Sequence, residues 1–375
     1  MRNKRSQRGV ALMLVLVMIL LLTVFVIGYV YEAQVETVHA TNTMAQYEAY
    51  MAARSAVMLG MRDLDLDMVQ MQGNPQVDTL HDPWGAYGDP DVLLEENIMP
   101  QVNATTINGA LLGYTITDEY GKIPLNALIY QETQEPNPVV AKALELFFTY
   151  RGAESPIEQP IIDWVDGVAG LGFDHGSSGA ERDYYEALPV PYTAQDRPMD
   201  ALEQLLLVAD MTPELYFGDR EEGLLPLSEV FTVHGHPEGY INIYTAPEEV
   251  LIAYTDAVAA VSGASIDHYQ LLNERREMGQ GGRFHHRDDL VRDGVITVPG
   301  PWQNEQEVSP IPGSEQTLGL PIVVNPFTVY SHVFRIRGFG VSAGGDAKAI
   351  IDCFVFRDAS GPQDRFRILD WRVVQ

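Results

Sequence analysis

The N-terminal part of the chain carries one long, uninterrupted helical pattern. No charged residue lies between Val10 and Tyr31. A helix of about 22 apolar residues, at roughly 1.5 Å per residue, would cross the ~30 Å hydrocarbon core of a bilayer. The apolar run is too long for a cleaved secretory signal, and no small-residue cleavage site follows it. Residues 10–31 are therefore predicted to form a single transmembrane helix.

The helical pattern continues beyond the predicted span as an amphipathic stem over residues 32–70. Proline is absent between Glu32 and Asp67, and apolar residues recur at alternating steps of three and four. This stripe consists of Val35, Val38, Ala45, Ala49, Ala52, Ala56 and Leu59. Because small side chains let helices approach closely, the stripe is predicted to pack lengthwise against other helices. The alternative is packing against the chain's own globular part.

Alternation of apolar and polar residues near both ends of the remaining chain predicts an antiparallel sheet. Leu112, Tyr114 and Ile116 alternate with smaller or polar residues before a turn at Gly121. Alternating segments also flank Gly344-Gly345, which is a hairpin signal, and "FRILDWRVV" adds a last strand. The sheet is expected to receive the stem helix.

The middle of the chain shows helix-start patterns instead. Asp200 with Glu203 fits the spacing of a capping box, and Thr245 with Glu248 repeats it. Pro213 suits the first turn of a short helix. The segments "GKIPLNAL…RPMDALEQLL" and "GYINIYTAPEEVL…FHHRDDLVRDG" are two loose copies of one unit.

These patterns predict an α+β fold. A long N-terminal transmembrane and stem helix packs on an antiparallel sheet, and a large inserted α-helical domain contains helix-hairpin-helix-like repeats. The predicted β-domain comprises 71–130 and 321–375, and the inserted domain comprises 131–320.

Charge and motif content narrow the function. The 375 residues include 52 acidic and 24 basic ones, a net charge of −28, which repels phosphate backbones and argues against nucleic acid as a partner. The single cysteine, Cys353, lies in an alternating apolar stretch, where a buried strand thiol is expected. The histidine pairs His234/His236 and His285/His286 lack the spacing of a zinc hydrolase, and no other catalytic motif is present, so no enzyme is predicted.

The boundary at Gly9 has its own chemistry. The residues before it include Arg2, Lys4, Arg5 and Arg8. This positive charge keeps the N-terminus cytoplasmic and places the rest of the chain across the membrane. The pattern resembles the class III signal of type IV pilin-like proteins. That resemblance implies that a prepilin peptidase cuts between Gly9 and Val10, removing a leader over 1–9 and leaving the apolar helix on the protein.

One position departs from the pilin-like pattern. That family commonly has glutamate as its fifth mature residue, where this chain has Leu14. The glutamate is thought to pair with the terminal amine of a neighbouring subunit, and a buried carboxylate without such a partner is unfavourable in an apolar setting. Leu14 is therefore expected to mark a subunit at the tip of a fibre.

Further segments resemble the minor pseudopilin K of type II secretion systems. They are "DEYGKIPLNAL" (118–128), "IIDWVDG" (161–167), "GAERDYYEAL" (180–188), "RPMDALEQLLLVADMTPELY" (197–216) and "GYINIYTAPEEVL" (239–251). Pro124 and Tyr244 stand where that family commonly has asparagine. The resemblance implies a non-enzymatic subunit at the tip of the pseudopilus, which exports folded proteins across the outer membrane. It also implies a single-pass protein of the bacterial inner membrane with its C-terminal domain in the periplasm. The implied partners are minor pseudopilins of the I and J types, the inner-membrane assembly platform and the prepilin peptidase.

The paired short helices support a second hypothesis, a membrane-anchored helix-hairpin-helix receptor of a DNA-uptake system. Members of that class bind phosphates through backbone amides and basic residues. The acidic surroundings favour a packing role for the helical pairs and hence the secretion component.

An acidic, glycine-rich segment over 163–183 is the candidate metal site. Its carboxylates are Asp163, Asp166, Asp174, Glu181 and Asp183. Calcium binds about six to eight oxygen ligands in irregular geometry, which a flexible loop can supply. Composition alone fits a solvated acidic loop equally well, whereas the resemblance to pseudopilin K implies structural calcium in the inserted domain. Both interpretations remain open at this point.

Overall fold

Helix α1 (Lys4–Gln70) is the longest element of the protein. The computed structural model describes residues 4–70, 77–85, 105–130, 136–153, 155–165, 180, 182–219, 223–277, 284–287, 289–297, 325–358 and 365–374. The other helices are α2 (Pro138–Tyr150), α3 (Glu158–Val165), α4 (Arg182–Glu186), α5 (Pro213–Phe217), α6 (Leu227–Val230), α7 (Glu248–Ser262), α8 (His268–Glu277) and α9 (Asp289–Arg292). Two 3-10 turns cover Leu125–Ala127 and Leu202–Leu207. The strands are β1 (Thr105–Ile107), β2 (Ala110–Asp118), β3 (Ile123–Pro124), β4 (Phe231–Thr232), β5 (Ile241–Asn242), β6 (Ser265–Ile266), β7 (Ile296–Thr297), β8 (Phe327–Thr328), β9 (Val333–Val341), β10 (Lys348–Arg357) and β11 (Phe366–Val374).

The main sheet has the order β1-β2-β9-β10-β11 and is antiparallel throughout. Its turns follow from residues that tolerate positive φ. Asn108 and Gly109, with φ of 53° and 90°, join β1 to β2, as a two-residue hairpin requires. Gly345, with φ of 75°, lies in the turn between β9 and β10. The predicted antiparallel sheet, the hairpin at Gly344-Gly345 and the final strand are confirmed.

The two halves of α1 have different surroundings. Its stretch from Val10 contains a segment that is long and apolar enough to cross a membrane, and none of that segment is buried. Farther along, Ala49, Ala53, Ala56 and Val57 are fully buried against the sheet. The predicted stripe therefore divides: Val35 and Val38 are exposed, whereas the part from Ala49 onward packs on the chain's own sheet. For that part the prediction of packing against other helices is wrong, because glycines in β9 admit the helix backbone.

The helical elements lie between β2 and β9 in sequence and have a core of their own. Phe147, Phe148 and Phe231 form its aromatic centre, with ring centroids 4.8 to 5.7 Å apart. Helices α2 and α7 pack together, and the Arg151 Nη2 atom lies 2.8 Å from the Glu249 Oε1 atom at one end of their contact.

Segments on both sides of the predicted domain boundaries belong to this helical core. Ile123 to Ile129 pack there, and so do Phe327 and Val329. The reason is two short parallel pairings, β3 with β4 and β5 with β8. The change from sheet core to helical core thus occurs near residues 119 and 332, not at 131 and 320.

Two predicted helix caps are wrong. Asp200 accepts hydrogen bonds from Arg197 and Gln195, and the turn over Leu202–Leu207 begins without a side-chain cap. The Thr245 hydroxyl donates to Asp118 at 2.6 Å, so α7 begins at Glu248 without a cap from Thr245. The prediction for α5 is confirmed: Pro213 opens the helix, and the Thr212 hydroxyl accepts from the Leu215 N–H at 3.3 Å.

Candidate functional site

The elements between β2 and β9 in sequence are called here the helical unit. The stem, the sheet and the helical unit meet at a buried ionic group, which is called here the junction cluster. It consists of Asp67, Asp78, Asp82, Asp118 and Arg357. Arg357, at the end of β10, is fully buried. Its guanidinium contacts Asp78, lies 3.4 Å from the Asp67 Oδ2 atom and donates to the Ser331 carbonyl at 3.0 Å. One cation thereby joins the end of α1, the segment after it and the last hairpin of the sheet.

Asp118 extends this cluster into the helical unit. Its Oδ2 atom accepts hydrogen bonds from the Ser331 hydroxyl at 2.5 Å, the Thr245 hydroxyl at 2.6 Å and the Asn242 amide at 3.2 Å. The same Asn242 amide donates to the Asp78 carbonyl at 3.0 Å. Because β2, β5 and the segment after β8 all contribute partners, the relative position of the sheet and the helical unit is determined by hydrogen bonds as well as by apolar packing.

Burial makes three of these carboxyl groups hard to ionise. Desolvation, together with the charges of Asp78 and Asp82, raises the pKa of Asp67 to about 7, even though Arg357 lowers it. Desolvation also raises the pKa of Asp82 to about 6 and that of Asp118 to about 6. Of the four carboxyl groups, Asp67 and Asp78 contact the guanidinium. Because burial disfavours the charged form, the cluster retains protons at a pH where exposed carboxyl groups are fully ionised.

The helical unit contains two copies of one arrangement. In the first copy, the Asn126 amide brackets Met199: it accepts from the Met199 N–H at 2.7 Å and donates to the Met199 carbonyl at 2.9 Å. In the second copy, the Tyr244 hydroxyl accepts from the Phe284 N–H at 2.7 Å and donates to the Phe284 carbonyl at 3.2 Å. The segments "FTVHGH" (231–236) and "FTVYSH" (327–332) complete the copies, and each begins by pairing in parallel with an isoleucine, Ile123 or Ile241.

Of the histidine pairs noted in the sequence, His236 is half-buried among aromatic rings, and His285 and His286 lie just before α9. Burial lowers the pKa of His236 to about 4, and the His332 and Arg287 charges contribute in the same direction. Its ring lies edge-on to Tyr120 at 5.3 Å. The backbone N–H groups of His285 and His286 both donate to the Asp289 carboxylate, at 2.8 and 3.0 Å. Among the described residues, no group of three or more histidine, cysteine or acidic side chains is arranged to hold a metal ion.

Comparisons with known proteins agree with this architecture. Residues 121–217 match the family model described as Type II secretion system (T2SS), protein K. This segment begins at the first copy of the repeated arrangement. Over these residues the resemblance to protein K of type II secretion is confirmed.

A solved structure supports the fold over most of the chain. It is a chain in the crystal structure of the GspK-GspI-GspJ complex from the enterotoxigenic Escherichia coli type 2 secretion system. The match has 16% sequence identity and a TM-score of 0.59, and it covers 92% of this chain and 99% of that chain. At this identity the match establishes a shared fold. No curated protein sequence matches the chain. With protein K as the matching family, the DNA-receptor alternative is not favoured.

The residues predicted as the leader cleavage site and the tip marker lie along α1. Gly9 and Val10 are consecutive residues near the start of the helix, which is continuous through them. The Leu14 side chain is 63% exposed. No described element of the chain covers the surface around it, so lipid or other subunits would meet this position directly.

The predicted calcium ligands are only partly within the described residues. Asp163 is buried in α3 and Asp183 is exposed in α4, whereas Asp166, Asp174 and Glu181 lie outside the described residues. The two flanking helices are held together by Trp164 and Tyr185, whose ring centroids are 5.2 Å apart and nearly perpendicular. The donor chemistry, all carboxylate oxygen, is that of a hard cation.

The junction cluster was not predicted from sequence. Its members lie far apart in the sequence, from Asp67 to Arg357. Each of them, considered alone, is an ordinary charged residue. Only Asp118 lies in a segment that resembles the protein K family. Arg357 ends an alternating strand, where a charge is normally expected on the solvent face, so no local signal distinguishes it.

Proposed function

We propose that the protein is a minor pseudopilin at the tip of the type II secretion pseudopilus, acting without catalysis in the export of folded proteins. The observation that supports this most directly is the position of the helical unit. It is inserted between β2 and β9 of a sheet that carries a membrane-length helix, and its first segment matches protein K.

The uncovered half of α1 supports a single-pass anchor in the bacterial inner membrane. The basic leader places the part of the chain after the stem, called here the head, in the periplasm. Cleavage between Gly9 and Val10 by the prepilin peptidase would leave α1 with a new, charged N-terminus directly before the apolar segment. The helix could then leave the bilayer and enter the fibre without losing its anchor sequence.

Two features support a position at the tip. Leu14 offers no carboxylate to the terminal amine of a subunit above it, and an amine buried without a partner is unfavourable in an apolar helix bundle. The helical unit enlarges the head beyond the five-stranded sheet, which would obstruct a further subunit. The structural match to a complex of GspK with GspI and GspJ supports minor pseudopilins of the I and J types as partners, together with the inner-membrane assembly platform.

The decisive experiment locates the chain within the fibre. The full-length protein, with a photo-reactive residue in place of the exposed stem residue Val38, is produced in a strain with a complete type II system. Cross-links to I- and J-type subunits, but not to further copies of this chain, are expected. Deletion of the protein should impair fibre initiation or length control, and Leu14→Glu should not increase secretion. Fibres composed mainly of this chain would contradict the tip position.

We also propose structural calcium at residues 163–183. The supporting features are the carboxylate donors Asp163, Asp166, Asp174, Glu181 and Asp183, the glycines between them, and the Trp164–Tyr185 contact, which holds the two flanks of the segment together. Bound calcium would supply positive charge to neutralise these carboxylates, so that the segment could adopt one conformation without mutual repulsion.

A further inference from the structure

The first copy of the repeated arrangement exposes a group of apolar side chains. Leu206 and Leu207, at the end of the 3-10 turn, are 38% and 47% exposed, and Phe217, at the end of α5, is 61% exposed. Helix α5 packs against this turn, and the half-buried Tyr192 adjoins it by donating its hydroxyl to the Leu207 carbonyl at 2.7 Å. Single exposed apolar residues are ordinary, whereas a group on adjacent elements marks an interaction site. These four side chains are called here the apolar surface.

The second copy gives an internal comparison for this surface. Met199 in the first copy and Phe284 in the second occupy equivalent positions, because each is hydrogen-bonded through both of its backbone polar groups. Six residues after each of them come Leu205 and Leu290, and both leucines are fully buried. The two copies therefore share the same framework up to these leucines.

The two copies differ two residues later. Leu207 lies at this position in the first copy, and Arg292 lies there in the second. The Arg292 side chain is exposed, and its guanidinium lies 2.8 Å from the Asp289 carboxylate. Since the second copy carries a charged side chain at this position, the exposed leucine of the first copy is not required for folding of the repeated framework and is available to a partner.

The apolar surface lies within an acidic stretch of the chain. Residues 182–219 include eight acidic and two basic ones. The two basic residues, Arg182 and Arg197, already form ion pairs with aspartates of the same stretch, each at 2.7 Å. Asp210 and Glu214, next to the apolar surface in sequence, are exposed and make no ion pair among the described residues. Apolar side chains with an acidic rim attract a surface of apolar and basic residues.

Charge also argues against the other occupants of this surface. The two longest segments outside the described residues, 86–104 and 298–324, contain no lysine or arginine, so either would bring more negative charge to the acidic rim. A second copy of this chain, with a net charge of −28, would do the same. Anionic lipid and nucleic acid are repelled for the same reason.

We propose that the apolar surface docks a separate protein of the secretion apparatus, through a segment in which apolar side chains are flanked by lysine or arginine. That the partner belongs to this apparatus rests on the proposed function. Leucines and carboxylates at fixed positions select one complementary surface, which favours a constant component of the apparatus over exported proteins of differing sequence.

Photochemical cross-linking of the full-length chain tests this proposal. A photo-reactive aromatic residue replaces Phe217 in a strain with a complete type II system. Tyr269 of α8 is the matched control, because it is also aromatic and is 65% exposed. The same residue in place of Val38 reports contacts of the stem. Mass spectrometry identifies each cross-linked protein and the segment that carries the link.

The expected product at Phe217 joins another protein at a segment with lysine or arginine, at least ~5-fold more often than at Tyr269. Leu207→Arg should lower this yield roughly tenfold, because it removes an apolar contact and repels a basic partner, whereas Val291→Arg in the second copy should preserve it. Asp210→Asn combined with Glu214→Gln should lower the yield about fivefold. This uncharged pair carries the test if Leu207→Arg does not fold.

Several outcomes would overturn the docking surface. They are a link within the same chain, a link between two copies, a link to an acidic segment, and a product that disappears in a strain without exported proteins. If Val38 links to I- and J-type subunits while Phe217 links to no other protein, the docking surface fails and the proposed function stands. If Val38 links only to further copies of this chain, the proposed function fails, and the product at Phe217 still decides whether the surface docks a basic segment.

Discussion

Gly340 of β9 lies directly against the carbonyl oxygen of Ala49 in the stem helix. A methyl group on this glycine would collide with that oxygen and with the Ala53 nitrogen. At the neighbouring contact, a methyl group on Gly338 would lie only 2.5 Å from the Ala53 carbonyl oxygen. The stem therefore approaches the sheet backbone to backbone, at a separation that only glycine in the strand permits.

Gly340→Ala should force the stem away from the sheet. Overpacking of this kind costs about 1–3 kcal/mol of the free energy of unfolding. The measurement is urea unfolding of the full-length protein in detergent. Gly28→Ala is the matched control, because nothing lies within 4 Å of the position where its added methyl would be. Equal stability of the two variants would show that the stem can shift without loss.

Arg357→Met should destabilise the head strongly, because it leaves the buried carboxylates of the junction cluster without their cation. Removing one partner of a buried ion pair costs about 3–5 kcal/mol. Arg365→Met, which breaks a half-exposed pair with Asp65, should cost less, about 1 kcal/mol. Thermal unfolding of both variants provides the comparison, and similar losses would contradict the ionic role of Arg357.

The junction cluster should make stability depend on pH. In the folded protein the pKa of Asp67 is raised to about 7 and those of Asp82 and Asp118 to about 6, while in the unfolded chain these groups titrate near about 4. The folded state thus binds protons more tightly. Its stabilisation by these protons is complete below about pH 4 and is lost as the pH rises through about 6 to 7.

The melting temperature should accordingly rise when the pH is lowered from about 8 to about 5.5. Asp67→Asn removes one of the titrating groups and should flatten this dependence, whereas Asp65→Asn, at a half-exposed position outside the cluster, should leave it unchanged. A melting temperature that falls over this interval in the wild type would show that the cluster is fully ionised in the folded protein.

Chelation should lower the melting temperature if calcium binds at residues 163–183. A ligand at about one hundred times its dissociation constant adds about 2.7 kcal/mol to the stability of the folded state. Asp166→Ala and Glu181→Ala should abolish the difference between calcium and chelator. Asp346→Ala, in the exposed β9–β10 turn, should preserve it. Identical melting curves in calcium and in chelator would favour the solvated acidic loop.

Replacement of Gly9 by leucine should leave an unprocessed, membrane-bound precursor. Glycine permits close approach of the backbone to a peptidase cleft, and a bulky side chain prevents it. Immunoblotting separates precursor from product, and N-terminal sequencing of the wild type should begin at Val10. A mature N-terminus beyond Tyr31 would contradict the pilin-like signal.

Features with a local signal were predictable from the sequence. Strand alternation around Leu112 and Tyr114 and the paired glycines at 344 and 345 have direct counterparts in the sheet. The Asn108-Gly109 turn carried an equally clear signal, and recognising it would have predicted β1. These elements depend on neighbouring residues alone, so a single sequence contains what determines them.

Features that depend on distant contacts were not predictable. Thr245 has the spacing of a helix cap, but its hydroxyl bonds to Asp118, and this buried carboxylate outcompetes the local backbone. The stripe from Ala49 to Leu59 suits a helix partner and a glycine-rich strand equally well. Its choice of the sheet depends on Gly338 and Gly340, far away in sequence. The calcium proposal likewise depends on how residues 163–183 fold together.

Strand β2 precedes the helical unit in the sequence and β9 follows it. This separation sets the order in which the paired strands become available during synthesis. Because synthesis runs from the N-terminus, α1 and β2 emerge first, while β9, β10 and β11 emerge last. Until then, the face from Ala49 to Val57 lacks the β9 glycines that it packs against in the folded protein. Pairing between strands so distant in sequence forms slowly, because a long loop must close first. The stem thus has an early period in which its small-residue face can meet other membrane helices, and completion of the sheet ends that period.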